Sequence, residues 1–210
     1  MIVVHHLNNS RSQRILWLLE ELGLDYEIKR YERDPNTMLA PAELKAVHPL
    51  GKSPVITDEG QTLAESGAII DYLVECYGNG KLTPPSGTPE KLRYDYWLHY
   101  SEGSVMPILV MKLVLDNFGL GDSTASSQFV APQIKLHFDY LESELGKNPW
   151  FVGDEFTAAD VQMSFPIEAA AAQIGVDTSY PKLKDFLQRI HARPAYERAL
   201  ERGGKYELLT

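Results

Sequence analysis

Cysteine is nearly absent: Cys76 stands alone in a chain of 210 residues. A single thiol cannot close an intrachain disulfide or form a C-x-x-C pair, so a bridge-stapled secreted fold and dithiol redox chemistry are both excluded. A basic excess is missing too. Lys and Arg number 20 against 29 Asp and Glu, a formal charge of −9, which leaves no surplus to displace the counterions of a nucleic acid or to hold an anionic membrane. No apolar run could span a bilayer, because Glu20 and Glu21 interrupt the longest helical pattern. The opening MIVVHHL has no basic leader ahead of an apolar stretch, and no repeat, nucleotide loop, G-x-S-x-G or metal-spaced His/Cys set is found. The expectation is a cytoplasmic globular protein with no bound metal, no nucleic-acid partner and no membrane insertion.

What is present alternates and then changes character. IVVHHL (2–7), YEIKRY (26–31) and SPVITD (53–58) read as strands, and QTLAES returns after a turn at Glu59-Gly60. Ile15, Leu16, Leu18, Leu19 and Leu22 recur at helical spacing, and Gly23 sits where a C-cap glycine belongs. PAELKAV suggests a short helix. SGAIIDYLVECY suggests another, with Ala68, Ile69, Tyr72, Leu73 and Cys76 on its inner side and Cys76 buried. This order predicts a small α/β sandwich over residues 1–80. A Gly/Pro/Ser-rich linker follows at 81–89, and strand signals then stop. Helical patterns cover 88–117, 126–146, 158–173 and 181–192, with Pro194 opening a last helix, so residues 90–210 are expected to form an all-α domain. Within it Thr157 and Asp160 make a T-x-x-D capping box, and Asp160 is read as structural.

Three turns of the sandwich fall near one edge of the sheet. The first, Asn8 to Ser12, places hydroxyl and amide groups at a helix start. The second, HPLGKSP, brings Lys52 and the pair Ser53-Pro54, where the residue before proline is driven to an extended conformation. The third, AESG, puts Glu65 beside Ser66, a natural N-cap for the helix after it. Each turn alone reads equally well as a cap or a solvated loop. Together they offer an anion for an ammonium, helix starts and a lysine for two carboxylates, an extended backbone for a peptide, and a hydroxyl for a soft anion. That set of contacts describes glutathione.

The motifs SRSQRILWLLEELGL, HPLGKSPVI, LAESGAIIDYL and FVGDEFTAADVQMSFP stand in the order and separation of the glutathione S-transferase family, which the chain resembles over nearly its whole length. HHLNNSRSQRILWLLEEL, ELKAVHPLGKSP and YSEGSVMPILV are most similar to its Gtt-like fungal and bacterial branch. The resemblance implies a thioredoxin-like N-terminal domain followed by an all-helical C-terminal domain. It also implies a homodimer, and a transferase of the detoxifying kind that uses glutathione as co-substrate without a further cofactor. It implies that Glu65 and Ser66 bind the γ-glutamyl end, that Ser53 before a cis-Pro54 pairs with the cysteinyl backbone, and that Lys52 approaches the glycyl carboxylate. The opening turn has no tyrosine, so Ser10 is the candidate to face the sulfur, with Asn9 and Arg11 as competitors or helpers. Arg14 reads as an ordinary first-turn cation, and His5 and His6 take core and edge roles. A small hydrophobic electrophile is expected against the first helix of the second domain, where Tyr96, His99, Tyr100, Gly103 and Met106 share a helical face and Pro107 kinks the helix. The competing readings are glutathione-dependent peroxide or disulfide reduction, and a non-catalytic glutathione-binding module.

Overall fold

Alternating and continuous apolar runs settle into four strands of one sheet in the computed structural model, which describes residues 1–124, 126–175 and 179–208. The strands are β1 (Ile2–Leu7), β2 (Tyr26–Tyr31), β3 (Val55–Asp58) and β4 (Gln61–Ala64), in the order β2-β1-β3-β4. β1 pairs parallel with β2 and antiparallel with β3, and β3 pairs antiparallel with β4. Glu59 and Gly60 both take positive φ, 47° and 78°, as a tight β3–β4 hairpin turn requires. Between the strands lie α1 (Ser12–Leu22) and a short α2 (Ala42–Val47), and α3 (Ser66–Tyr77) follows β4.

The chain divides into two compact units, and the division differs from the expected one at its end. The first unit holds Met1–Leu82 together with His191–Glu207, so the last helix, α9 (Pro194–Gly203), belongs to the sandwich and not with the helices before it. The reason lies in α1. Its apolar stripe predicts one buried face, yet every residue from Ser12 to Leu19 is buried, because α3 covers one side and α9 another. Trp17, off the predicted stripe, meets Tyr196 edge-on at 5.1 Å between ring centres. Arg193 makes a two-pronged contact with Glu21, and Arg198 and Arg202 both reach Glu20. Burying side chains of this size contributes about 1.5–3 kcal/mol each, which outweighs any local preference of α9 for its sequence neighbours.

α3 turns Ile69, Ile70, Leu73 and Val74 inward. Ala68 and Cys76 are exposed, so the expected inner face is rotated and Cys76 is not buried. The α1 end is as read: Gly23 has φ 69° and its N–H reaches the Glu20 carbonyl.

The second unit, Thr83–Ile190, is helical among its described residues. α4 (Pro89–Tyr100) starts on a Thr88 cap whose Oγ1 accepts from Lys91 N–H at 3.2 Å. A single wider, π-type turn, Ser101–Val105, then leads into α5 (Met106–Asn117), with Pro107 in its first turn. Proline supplies no N–H, and the wider turn absorbs the break where a kink is expected. α6 (Ala131–Leu145), α7 (Ala158–Ile174) and α8 (Pro181–His191) complete the unit. Every residue of α7 from Ala158 to Ala170 is buried, which makes it the central helix. Pro166 lies inside α7 and cannot donate to the Gln162 carbonyl four residues back; the Ser101 hydroxyl donates to that carbonyl instead, at 3.0 Å. The capping box is made as expected. Asp160 Oδ2 accepts from Thr157 N–H at 2.8 Å, and Oδ1 accepts from Phe151 N–H at 2.9 Å. No described helix is long and apolar enough to cross a membrane.

Candidate active site

The opening turn is shaped by an arginine that sequence reasoning passed over. Arg33, just past β2, donates from Nε to the Asn8 carbonyl at 3.2 Å, from Nη1 to Met38 at 3.0 Å and from Nη2 to Asn9 at 3.4 Å. Burial and the nearby Arg11 charge lower its pKa. Held this way, Asn9 adopts a positive φ of 47° and the chain rises into α1 with Ser10 just before it. No sequence signal marks Arg33, because its partners are carbonyls, which every residue carries.

Ser10 is buried, and its Oγ accepts from Ser12 N–H at 3.2 Å at the start of α1. The same Oγ lies 3.3 Å from Ser53 Oγ. Ser53 spends its own hydrogen on the His5 carbonyl at 3.1 Å, so its oxygen is left to accept. The Ser53–Pro54 bond is cis, and the β3 ladder begins at Val55, one residue beyond Pro54. The first and second turns therefore meet at a pair of serine hydroxyls.

The third turn is joined through the interior. Ser66 is not the cap but the first residue of α3; Glu65 occupies the cap position, and its carbonyl accepts from Ile69 N–H at 2.9 Å. Glu65 has φ 73° and ψ 121°, a conformation that costs a non-glycine residue on the order of 1–3 kcal/mol and is concentrated at ligand sites. Its side chain is exposed while Ser66 is buried. Arg14, only 1% exposed, donates from Nη2 to Ser66 Oγ at 2.9 Å. Arg14 is therefore an interior brace and not an ordinary surface cation. The available signal was its position, since a cation in a first helical turn opposes the helix dipole.

Lys52 is exposed beside these groups in the chain, and Arg11 is half-exposed at the N-cap of α1. Asn9 is committed elsewhere: its Nδ2 donates to Glu207 Oε2 at 2.7 Å, and its Oδ1 accepts from Glu207 N–H at 2.9 Å. His5, buried on the central strand β1, bonds Tyr31 Oη at 2.9 Å, a core role.

In the second unit the five residues assigned to the electrophile separate into two groups. Tyr96, His99 and Gly103 are exposed, and nothing lies within 4 Å of where a Gly103 side chain would begin. Tyr100 and Met106 are buried, and Tyr100 Oη bonds His137 Nδ1 at 2.6 Å. The π-type turn adds a residue to one helical revolution and rotates Met106 off the face that a regular period predicts. Tyr96 stacks on Tyr100 at 5.6 Å.

The family models for the glutathione S-transferase N-terminal and C-terminal domains match residues 1–75 and 106–194. Glutathione S-transferase 3 of Schizosaccharomyces pombe is 38% identical over 96% of this chain and 88% of its own length. Glutathione S-transferase 1 of Saccharomyces cerevisiae is 32% identical over 96% and 95%. A glutathione S-transferase crystal structure from Actinobacillus pleuropneumoniae, 39% identical, superposes with a TM-score of 0.90 over 99% of this chain and 94% of that one. Sequence, sheet order and both matched domains thus place the chain in the glutathione S-transferase family.

Proposed function

We propose that the protein binds glutathione along its three turns and conjugates the ionised thiol to small hydrophobic electrophiles. The observation that carries this reading is the meeting of Ser10 and Ser53 hydroxyls at the start of α1. Ser53 stands ahead of the β3 ladder and offers its main chain to the cysteinyl residue. Glu65 takes the ammonium of the γ-glutamyl end, Ser66 and the α3 start take its carboxylate, and Lys52 takes the glycyl carboxylate.

The energetics are sufficient. A thiol of pKa about 8.5 is only about 3% ionised at pH 7. Lowering it by about two units needs about 2.7 kcal/mol. One hydrogen bond to a charged acceptor supplies about 1.5–3 kcal/mol, and a helix N-terminus adds about 0.3–1 kcal/mol. Ser10, the α1 start and the charge of Arg11 cover that requirement without a base in contact with the sulfur. The electrophile is assigned to the exposed aromatic surface of Tyr96 and His99 beside Gly103, with Tyr100 and Met106 behind it; aromatic and Met side chains suit an adaptable apolar site. The protein is further assigned as a cytoplasmic homodimer, in keeping with its family.

The test is a panel of activated aryl halides, peroxides and mixed disulfides run with wild type and Ser10→Ala. Conjugation that falls at least tenfold in the variant supports the assignment. Conjugation within about twofold of wild type removes Ser10 as the thiolate donor. Reduction of mixed disulfides without any conjugation transfers the reading to a reductase. Sedimentation at micromolar concentration tests the dimer, and a monomer there rejects it.

A further inference from the structure

A chain of polar groups leads from Ser10 away from Ser53 and into the protein. Ser10 Oγ lies 2.7 Å from Ser12 Oγ, and Ser12 Oγ lies 2.8 Å from His6 Nδ1. All three side chains are at most 5% exposed. The Gly203 carbonyl at the end of α9 lies beside the imidazole and favours its charged form. With Nδ1 turned to Ser12, the neutral ring that accepts there carries its hydrogen on Nε2. In a neutral ring Nδ1 then accepts the Ser12 hydrogen, and Ser12 Oγ, at 2.7 Å against 3.3 Å for Ser53 Oγ, is the nearer of two acceptors for the Ser10 hydrogen and takes it in the relay. Every hydrogen along the path points from Ser10 toward the histidine.

The far end of the path reaches a cavity. His6, Asn8, Tyr31 and Gly203 are among the residues lining a space of about 280 Å³, and exposed Arg30, Glu32, Lys205 and Glu207 form its rim. β2 contributes Arg30 and Tyr31, so the cavity lies on the β2 side of β1, whereas Ser53 precedes β3 on the opposite side. Three buried hydroxyl and imidazole groups in series, each costly to bury unless bonded, thus connect the Ser10–Ser53 pair to solvent by a second route.

We propose that Ser12 and His6 form a proton relay that carries the thiol hydrogen of bound glutathione from Ser10 to water in this cavity. The relay rests on the assignment of Ser10 to the sulfur. As the S–H bond breaks, Ser10 Oγ takes that hydrogen and passes its own to Ser12 Oγ, and Ser12 passes its own to His6 Nδ1. The products are a thiolate and an imidazolium, with the Ser10 hydroxyl now donating to sulfur. The imidazolium gives its Nε2 hydrogen to water in the cavity. The Nδ1–H tautomer that remains donates to Ser12, and the chain of donors now runs toward the thiolate and supports it. Burial and the Arg30 charge lower the His6 pKa to about 4, so the imidazolium sheds its proton quickly at neutral pH. Arg30 and Lys205 oppose the imidazolium, while Glu32 and Glu207 favour it.

Stopped-flow mixing with glutathione in weak buffer containing a pH indicator reads proton release directly. Ser12→Ala and His6→Phe are each expected to slow release by about tenfold or more while the glutathione Kd stays within about twofold, and Ser12→Thr, which keeps the hydroxyl, is expected to restore the rate. Wild-type release in both Ser12→Ala and His6→Phe, with Ser10→Ala slow, overturns the relay and leaves the serine assignment standing. Wild-type release in Ser10→Ala removes both, since the relay then has no outer end. Should the variants fail to fold, nitrogen-15 NMR of the histidine-labelled wild type decides: glutathione is expected to move the His6 hydrogen from Nε2 to Nδ1. An unchanged tautomer overturns the relay.

Discussion

Arg14 Nη2 donates to Ser66 Oγ at 2.9 Å, joining the first turn of α1 to the first turn of α3 inside the protein. The bond fixes the α3 start, where the γ-glutamyl carboxylate is assigned. Arg14→Lys keeps the charge but loses the planar fork. Calorimetry is expected to show glutathione binding weakened by about tenfold, or about 1.4 kcal/mol. Unchanged affinity would mean that Ser66 is held without the arginine.

Gly203 lies where α9 crosses α1. A Cβ there would come within 2.8 Å of Gln13 Oε1 and 2.9 Å of Leu16 Cδ1. Both atoms are the ends of buried side chains, which must shift within the packed α1–α9 seam to make room. Gly203→Ala is expected to lower stability by about 1–3 kcal/mol in denaturant titration. A variant as stable as wild type would show that the α1–α9 seam yields easily.

Asp160 gives a pH dependence of defined sign. Burial outweighs the donors from Phe151 and Thr157 and raises its pKa from 3.8 to about 6. The folded protein therefore holds this proton more tightly than the unfolded chain. The stability that the protonated group contributes is complete below about pH 4 and is lost as pH rises through about 6, by roughly 3 kcal/mol at most. The stability difference between wild type and Asp160→Ala should shrink over that window. A difference that grows with pH would show that the donors, not burial, dominate.

Glu20 behaves in the opposite sense. Burial pushes its pKa up, but the bonds from Arg198, Tyr26 and Arg202 outweigh this and hold it below the ordinary value. Its contribution is present above the unfolded glutamate range and is lost as pH falls through the folded pKa. Glu20→Gln is expected to remove part of the acid sensitivity of α9 docking, read by amide hydrogen exchange over Pro194–Gly203. Identical acid profiles in the two proteins would place the sensitivity elsewhere.

Features set by a few neighbouring residues were legible in the chain. The run Ile2–Leu7 became β1, Glu59-Gly60 closed a hairpin, Gly23 ended α1, and Thr157 with Asp160 opened α7. Their physics is local: backbone conformation, capping and periodicity act over one turn. The three turns of the candidate site were legible for the same reason, since each lies at the edge of such an element. Cys76 was misread because the inner face of α3 depends on what packs against it, and Met106 because one π-type turn changed the helical phase.

The amino-acid sequence by itself determined the elements, their order, and the residue types gathered at the three turns. Only the tertiary structure decided that Arg14 braces Ser66 across 52 residues, and that Asn9 is drawn to Glu207 across 198. It alone placed α9 on α1, and so set the Gly203 carbonyl against His6. These pairings follow from burial and hydrogen-bond satisfaction among groups brought together by packing, and a linear pattern carries no record of which distant donor will meet which acceptor.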